Sequence, residues 1–148
     1  PDDILKDLDF VIAGIHTAFG QDKETVTKRL ISAIENPYVR VISHPSGRLL
    51  NERDPADPDW RKIFSAARDN GVILEINAQP QRLDLPDDLA KSAMEWGVDL
   101  IINSDAHSTR EFSFMRYGVD NARRGWVQKD NVVNTLAYDK FIKKLRLV

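Results

Sequence analysis

Three histidines occur in this chain, and each follows a short apolar run: His16 after "VIAGI", His44 after "VRVIS" and His107 after "LIINSDA". Asp105 precedes His107 by two residues, so an extended backbone there turns both side chains to one side. Three imidazoles and a carboxylate meeting at one opening are a donor set for Zn2+, Mn2+ or Fe2+. Neutral imidazole offers a nitrogen lone pair, carboxylate offers charge, and a cation so held lowers the pKa of its water enough to supply a nucleophile near neutral pH. A plainer reading stands beside this one. A lone loop histidine is more often a surface or capping residue, and "DAH" suits the start of a helix near Ser108.

The elements that must position these residues are legible in the pattern. The runs "DFVIAGI" (9–15), "VRVIS" (39–43), "GVILEIN" (71–77) and "VDLIIN" (98–103) are short, rich in Val and Ile and bounded by polar or turn residues, as strands buried on both faces are. Between them lie helical patterns. Residues 22–35 carry Asp22 as N-cap, residues 59–69 stop before Gly71, and residues 86–96 open with Pro and two acids. The order β-α-β-α-β-α-β predicts an α/β fold with parallel strands and flanking helices. All three histidines then sit just past strand carboxyl ends, the edge at which α/β folds bind ligands. That joint placement favours the metal reading. One or two further helices are predicted, over Asn131 to Leu136 and then Tyr138 to Leu147, and the long segment 45–58 reads as irregular.

Other polar residues near these strand ends have weaker claims. Glu75 and Asn77 alternate on the third strand, where a buried carboxylate needs a partner, and a hydrogen-bonding role is the preferred reading. Arg48 and Arg82 follow the second and third strands and are candidates to grip phosphate oxygens in pairs of hydrogen bonds. An ordinary exposed or salt-bridged arginine fits Arg48 equally well and Arg82 better. Arg123 and Arg124, before Gly125 and Trp126, suit a helix C-terminus as well as a nucleic-acid patch.

Composition narrows the class. At 148 residues, 42% hydrophobic and 30% charged, the chain has the length and make-up of one globular domain. It lacks cysteine, which excludes disulfides and thiolate metal sites, and its net charge of −2 gives no global pull toward nucleic acid. No apolar run approaches the roughly 20 residues of a membrane helix, and the acidic start is unlike a signal peptide, so a cytoplasmic location is expected. Pro1 in place of Met suggests a piece of something longer.

The stretches "VIAGIHTAF", "ENPYVRVISHPSGRLL", "LEINAQPQRLDL", "LIINSDAHST" and "FMRYGVDNARRGW" span nearly the whole chain. In that order they resemble the PHP (polymerase and histidinol phosphatase) family. "HPSGRLL", "EINAQPQRLDL" and "FMRYGVDNARRGW" are most similar to the C-terminal PHP domain of bacterial family X DNA polymerases. The resemblance implies a distorted (β/α)7 barrel with a trinuclear metal cluster at its strand carboxyl ends, with His16, His44, Asp105 and His107 as ligands. It implies metal-dependent phosphoester hydrolysis, a 3′-5′ exonuclease or related processing of DNA 3′ ends in repair, usually supported by Mn2+. It assigns nothing to Arg48 or Arg82.

The family's opening His-x-His motif with its following Asp, and a further His and Glu, are missing from this sequence. The resemblance therefore implies a partial PHP domain over 1–148, the second half of the barrel, with fewer than three metal ions. Its implied partners are the rest of the barrel, the polymerase domain and, through the parent protein, DNA. A half barrel also leaves a strand edge and an apolar face uncovered, to be met by a second copy or an adapted helix. The chain alone is expected to be nearly inactive, and no general acid is identifiable. Two alternatives remain: a free-standing PHP phosphatase acting on a small phosphate ester, as histidinol phosphatases do, and a non-catalytic structural module.

Overall fold

The computed structural model describes residues 2–145. The apolar runs form strands β1 (Val11–Gly14), β2 (Val39–Ser43), β3 (Ile73–Asn77) and β4 (Leu100–Asn103), all parallel and lying side by side in chain order. Register is set by the apolar residues, with Ile42 opposite Leu74 and Leu74 opposite Leu100. After a short opening helix α1 (Asp2–Leu5), the crossovers are α2 (Lys23–Ile34), α3 (Trp60–Asn70) and α4 (Asp87–Glu95). Local chemistry sets their ends. Asp22 accepts the Thr25 N–H at 2.9 Å to begin α2, and Gly71, at φ +62°, closes α3 in the left-handed region that a side chain would resist. A 3₁₀ segment (Thr109–Phe114) leads into α5 (Met115–Arg124), whose last turn carries Arg123 and Arg124 as a helix C-terminus favours; Arg124 also pairs with Asp87 at 3.0 Å.

The alternation of side chains splits the core in two. Ile42, Leu74, Ile76, Leu100 and Ile102 face the layer of helices, where they meet Leu30, Phe64, Ala90 and Ala122. Val41, Ile73 and Ile101 face the other way and meet Val133 and Leu145. A strand pattern apolar at every position is the consequence, because both faces are covered. The strands lie in chain order with their crossover helices on one face, and the four described strands form an open sheet.

The C-terminal segment departs from the helix predicted over Asn131 to Leu136. It forms two 3₁₀ turns, Lys129–Asn131 and Val133–Thr135, before α6 (Tyr138–Lys144). Tertiary demands outweigh local propensity here: Val133 covers the inner sheet face, and the Asn134 amide bonds both backbone groups of Ile102, accepting at 3.3 Å and donating at 2.6 Å. That pairing seals the β4 edge, and Val133, Leu136, Phe141 and Leu145 cover the apolar floor of the inner face. The expected bare face is thus covered by the chain's own end, as an adapted helix. The β1 edge keeps Ile12 47% exposed. The expected helix end at Leu147 lies outside the described residues. Among the described residues no helix is long and apolar enough to cross a membrane.

Phe64, 2% exposed and stacked on Trp60 at 5.7 Å, anchors α3 to the sheet. Phe64→Ala should lower unfolding stability by about 3–5 kcal/mol, read as a drop in denaturant midpoint at unchanged slope; a shift below about 1 kcal/mol would show that this contact is not core.

Candidate functional site

The inner face of the sheet changes character along its length. Below lie Val41, Ile73 and Ile101; one pleat further toward the carboxyl ends the same face carries Ser43, Glu75 and Asn103. Beyond that layer the chain turns out into loops carrying His16, His44 and Asp105. These three side chains, with Ser43, Glu75 and Asn103, line a cavity of about 440 Å³ whose apolar end reaches Ile12 and Phe141.

His16 and His44 meet edge to face, with ring centroids 4.9 Å apart. Gly14 makes this possible, since a Cβ there would overlap Ser43 Oγ and sit 3.0 Å from His44 Cε1 and 3.1 Å from His16 Nε2. His44 opens a "HPSG" turn, its carbonyl accepting the Gly47 N–H at 2.9 Å with Pro45 at the position turns favour. Its own backbone lies at φ +30°, a region that non-glycine residues avoid. Asp105 is also left-handed, at φ +51°. Two of the expected ligands therefore sit on backbone that the surrounding contacts must hold in place.

Those contacts are polar and dense. Glu75 Oε2 accepts the His44 N–H at 2.7 Å and Asn77 Nδ2 at 3.1 Å, while Oε1 accepts Asn103 Nδ2 at 2.8 Å. Asn77 Nδ2 also donates to Asp105 Oδ2 at 3.1 Å, and Arg82 Nε lies 3.5 Å from the same oxygen. Arg48 donates from Nε to the Arg82 carbonyl at 2.7 Å and from a terminal nitrogen to the Leu83 carbonyl. Its guanidinium thus fastens the loop that carries Arg82. Ser46 N–H adds a bond to buried Asp84 at 3.1 Å, whose second oxygen has no hydrogen-bond partner.

His107 takes a different direction. Its side chain is 78% exposed, with Nδ1 2.8 Å from the Asp105 carbonyl, and it lines a second cavity of about 520 Å³ with Arg82, Gln79, Glu111 and the far side of Asp105. Glu111 organises this loop by accepting the His107 N–H at 2.8 Å, Gln79 Nε2 at 3.0 Å and the Ser108 hydroxyl at 3.2 Å. Ser108 occupies the cap position of the following 3₁₀ segment without a side-chain cap bond, so "DAH" does not serve there as a cap. The structure thus brings His16 and His44 together, sets Asp105 on the wall between two cavities, and places His107 in the second. Among the described residues no group of three or more metal-ligating side chains surrounds one point.

The chemistry of the pair still suits a cation. His44 is 5% exposed, yet its Nδ1 has no hydrogen-bond partner, which is costly for a buried nitrogen. Burial, then the Arg82 guanidinium and the His16 ring, push its pKa down to about 4, leaving a neutral imidazole with a free lone pair at physiological pH. Burial pushes Glu75 and Asp84 up, against the hydrogen bonds that pull each down. Glu111 is held below the usual carboxylate range by the His107 N–H.

Sequence reasoning passed over Asn103, Gln79 and Glu111. The signals were present: "ILEIN" and "LIIN" both end in Asn, placed opposite each other as Asn77 and Asn103, and Glu111 stands four residues after His107.

Relatives of two kinds match this chain. It is 42% identical over 133 residues to the DNA polymerase/3′-5′ exonuclease PolX of Bacillus subtilis (strain 168), covering 90% of this chain and 23% of that protein. It is 34% identical over 145 residues to a probable phosphatase of Thermoanaerobacter sp. (strain X514), covering 91% of this chain and 56% of that protein. A probable phosphatase of Caldanaerobacter subterraneus is 37% identical over 117 residues, which are 72% of this chain and 43% of that protein. The chain spans about a quarter of the polymerase relative and about half of these phosphatases. No family model matches it. Homology to these proteins is consistent with a PHP-type domain.

The pKa of His44 has a checkable consequence. Its folded value lies below the ordinary 6.5, so the unfolded chain takes up the proton first as pH falls. The stability contributed by neutral His44 is whole above about pH 6.5 and is lost as pH falls toward about 4. In chelator-treated protein, the His44 ring protons followed by NMR should titrate with a midpoint near 4. A midpoint of about 6 or above, the ordinary range for histidine, would contradict the buried placement.

Proposed function

We propose that this chain is the second half of a PHP-type barrel, a metal-dependent phosphoesterase domain of a family X DNA polymerase, acting in DNA 3′-end processing and repair as a 3′-5′ exonuclease in the cytoplasm. The observation that carries the reading is the His16–His44 pair, with an unpartnered buried Nδ1, on a cavity shared with Asp105. The 42% identity to a polymerase/exonuclease over 90% of the chain supports the polymerase branch. Strands in chain order with helices on one face suit a barrel wall.

Imidazole nitrogens and a carboxylate fit Mn2+, Zn2+ or Fe2+. His16, His44 and Asp105 would hold the ion, with His107 serving the neighbouring cavity and fewer ions than the family's three. Bound there, such an ion supplies Lewis acidity and positive charge toward phosphate oxygens. Arg82, held in place by Arg48, sets its guanidinium in the neighbouring cavity on the other side of Asp105 and would bind a phosphate oxygen there. The remaining ligands and strands would come from the rest of the barrel in a longer protein that also carries the polymerase domain, so the chain alone would be nearly inactive. The exposed β1 edge, with Ile12 and Phe10 uncovered, would pair with those strands or, without them, with a second copy. The probable phosphatases, at 34% and 37% identity, favour a second reading: a phosphatase acting on a small phosphate ester.

Elemental analysis of protein purified without chelator should find Mn, Zn or Fe. His44→Ala or Asp105→Ala should weaken binding of the same ion at least about tenfold while the fold holds; unchanged metal content in both variants would overturn the ligand assignment. The longer protein assayed on a recessed DNA 3′ end and on a small phosphomonoester separates the two readings, and the first substrate is expected to be turned over. Sedimentation should show self-association at high concentration; a monomer throughout would show that the β1 edge needs no second copy.

A further inference from the structure

We propose that Glu75, Asn77 and Asn103 form a polar strut that positions His44 and Asp105 relative to each other, with Glu75 acting on the site through its neighbours and never as a ligand. The inference rests on the metal-site reading above. A continuous hydrogen-bonded path runs from the His44 N–H to Glu75 Oε2, through Asn77 Nδ2, to Asp105 Oδ2. It joins the loop after β2 to the loop after β4 across the strand between them.

The residue types follow from the donors. Three N–H groups converge on Glu75, from His44, Asn77 and Asn103, and a carboxylate is the side chain that accepts at both oxygens without offering a proton. Asn77 is locked in orientation because its Oδ1 accepts the Gln79 N–H at 3.0 Å. Its Nδ2 therefore faces both carboxylates, and one neutral amide bridges two acids. Asn77 is fully buried and Glu75 is 4% exposed, so solvent has little access to the bond between them. His44 needs the strut most. Its backbone sits at φ +30°, held by the bond from its N–H to Glu75 and by the turn bond from the Gly47 N–H to its carbonyl. Without the Glu75 acceptor the turn bond alone restrains the backbone, which can relax toward ordinary φ and carry the imidazole away from His16.

Two substitutions at Glu75 separate the possible roles. Gln keeps an oxygen for the His44 and Asn77 donors, and Asn103 can turn its amide to meet the new NH2 group. Leu fills a similar volume with no acceptor. We expect Glu75→Gln to retain the NOE between the His16 and His44 rings and to bind Mn2+ within about threefold of the parent chain. Glu75→Leu should lose that NOE and bind Mn2+ about 10- to 100-fold more weakly, the usual effect of removing a group that orients a ligand. Variants that both retain the contact and the affinity would reduce Glu75 to packing; variants that both lose the affinity would make it a ligand; either result overturns the strut.

If Glu75→Leu does not fold, Glu75→Gln decides alone. Its His44 amide proton should move upfield, as a neutral oxygen replaces a carboxylate, while the ring NOE and the Mn2+ affinity stay. An unmoved amide, or loss of either of the other two, overturns the proposal. Should the parent chain bind no Mn2+, the metal reading fails, yet the ring contact and the amide shift, measured in chelator-treated protein, still judge the strut.

Discussion

All four described strands run in one direction and lie in chain order, so their carboxyl ends open along a single edge of the sheet. Everything polar in the site depends on that constraint. A parallel strand must be followed by a crossover that carries the chain back to the starting side, which leaves each strand's exit loop at the same rim. Residues more than ninety positions apart, His16 and His107, thereby come to border adjoining cavities. The helices enforce the arrangement by covering one face, and the C-terminal segment completes it by covering the apolar part of the other.

Within that frame the inner face is graded. An apolar layer of Val41, Ile73 and Ile101 gives way to Ser43, Glu75 and Asn103, and then to the histidines. A buried carboxylate is tolerable only when its oxygens are bonded, and Glu75 meets that requirement with backbone and amide donors. One of these bonds, from the His44 N–H, also helps hold that loop at φ +30°, a conformation that a free chain would leave. Satisfaction of a buried charge and placement of the candidate ligands are thus one arrangement. Among the described residues, His44 Nδ1 and Asp84 Oδ2 are the buried exceptions, and His44 is one of the residues that line the cavity beside His16.

Asp105 is shared between two openings, one flanked by imidazoles and the other by Arg82, His107 and Glu111. The imidazoles offer lone pairs on the first side, and the Arg82 guanidinium offers N–H donors on the second. Arg48 belongs to the second side only indirectly, because its donors serve the carbonyls of the loop that presents Arg82.

Strand and helix positions were readable in the chain because apolar periodicity, the Asp22 cap and the Gly71 stop are local signals that the tertiary structure respects. So was the rim location of the histidines, since a residue just past a parallel strand has nowhere else to go. The 3₁₀ turns near Asn134 were not readable, because they answer to an unpaired strand edge that belongs to a distant residue, Ile102. Nor was the outward turn of His107: alternation predicts a shared side for Asp105 and His107 only on extended backbone, and Asp105 at φ +51° breaks that geometry. The sequence by itself determined which residues reach the rim; contact among them was decided by register, by the space left at Gly14 and by the bonds of Glu75, all of which act between strands far apart in the chain.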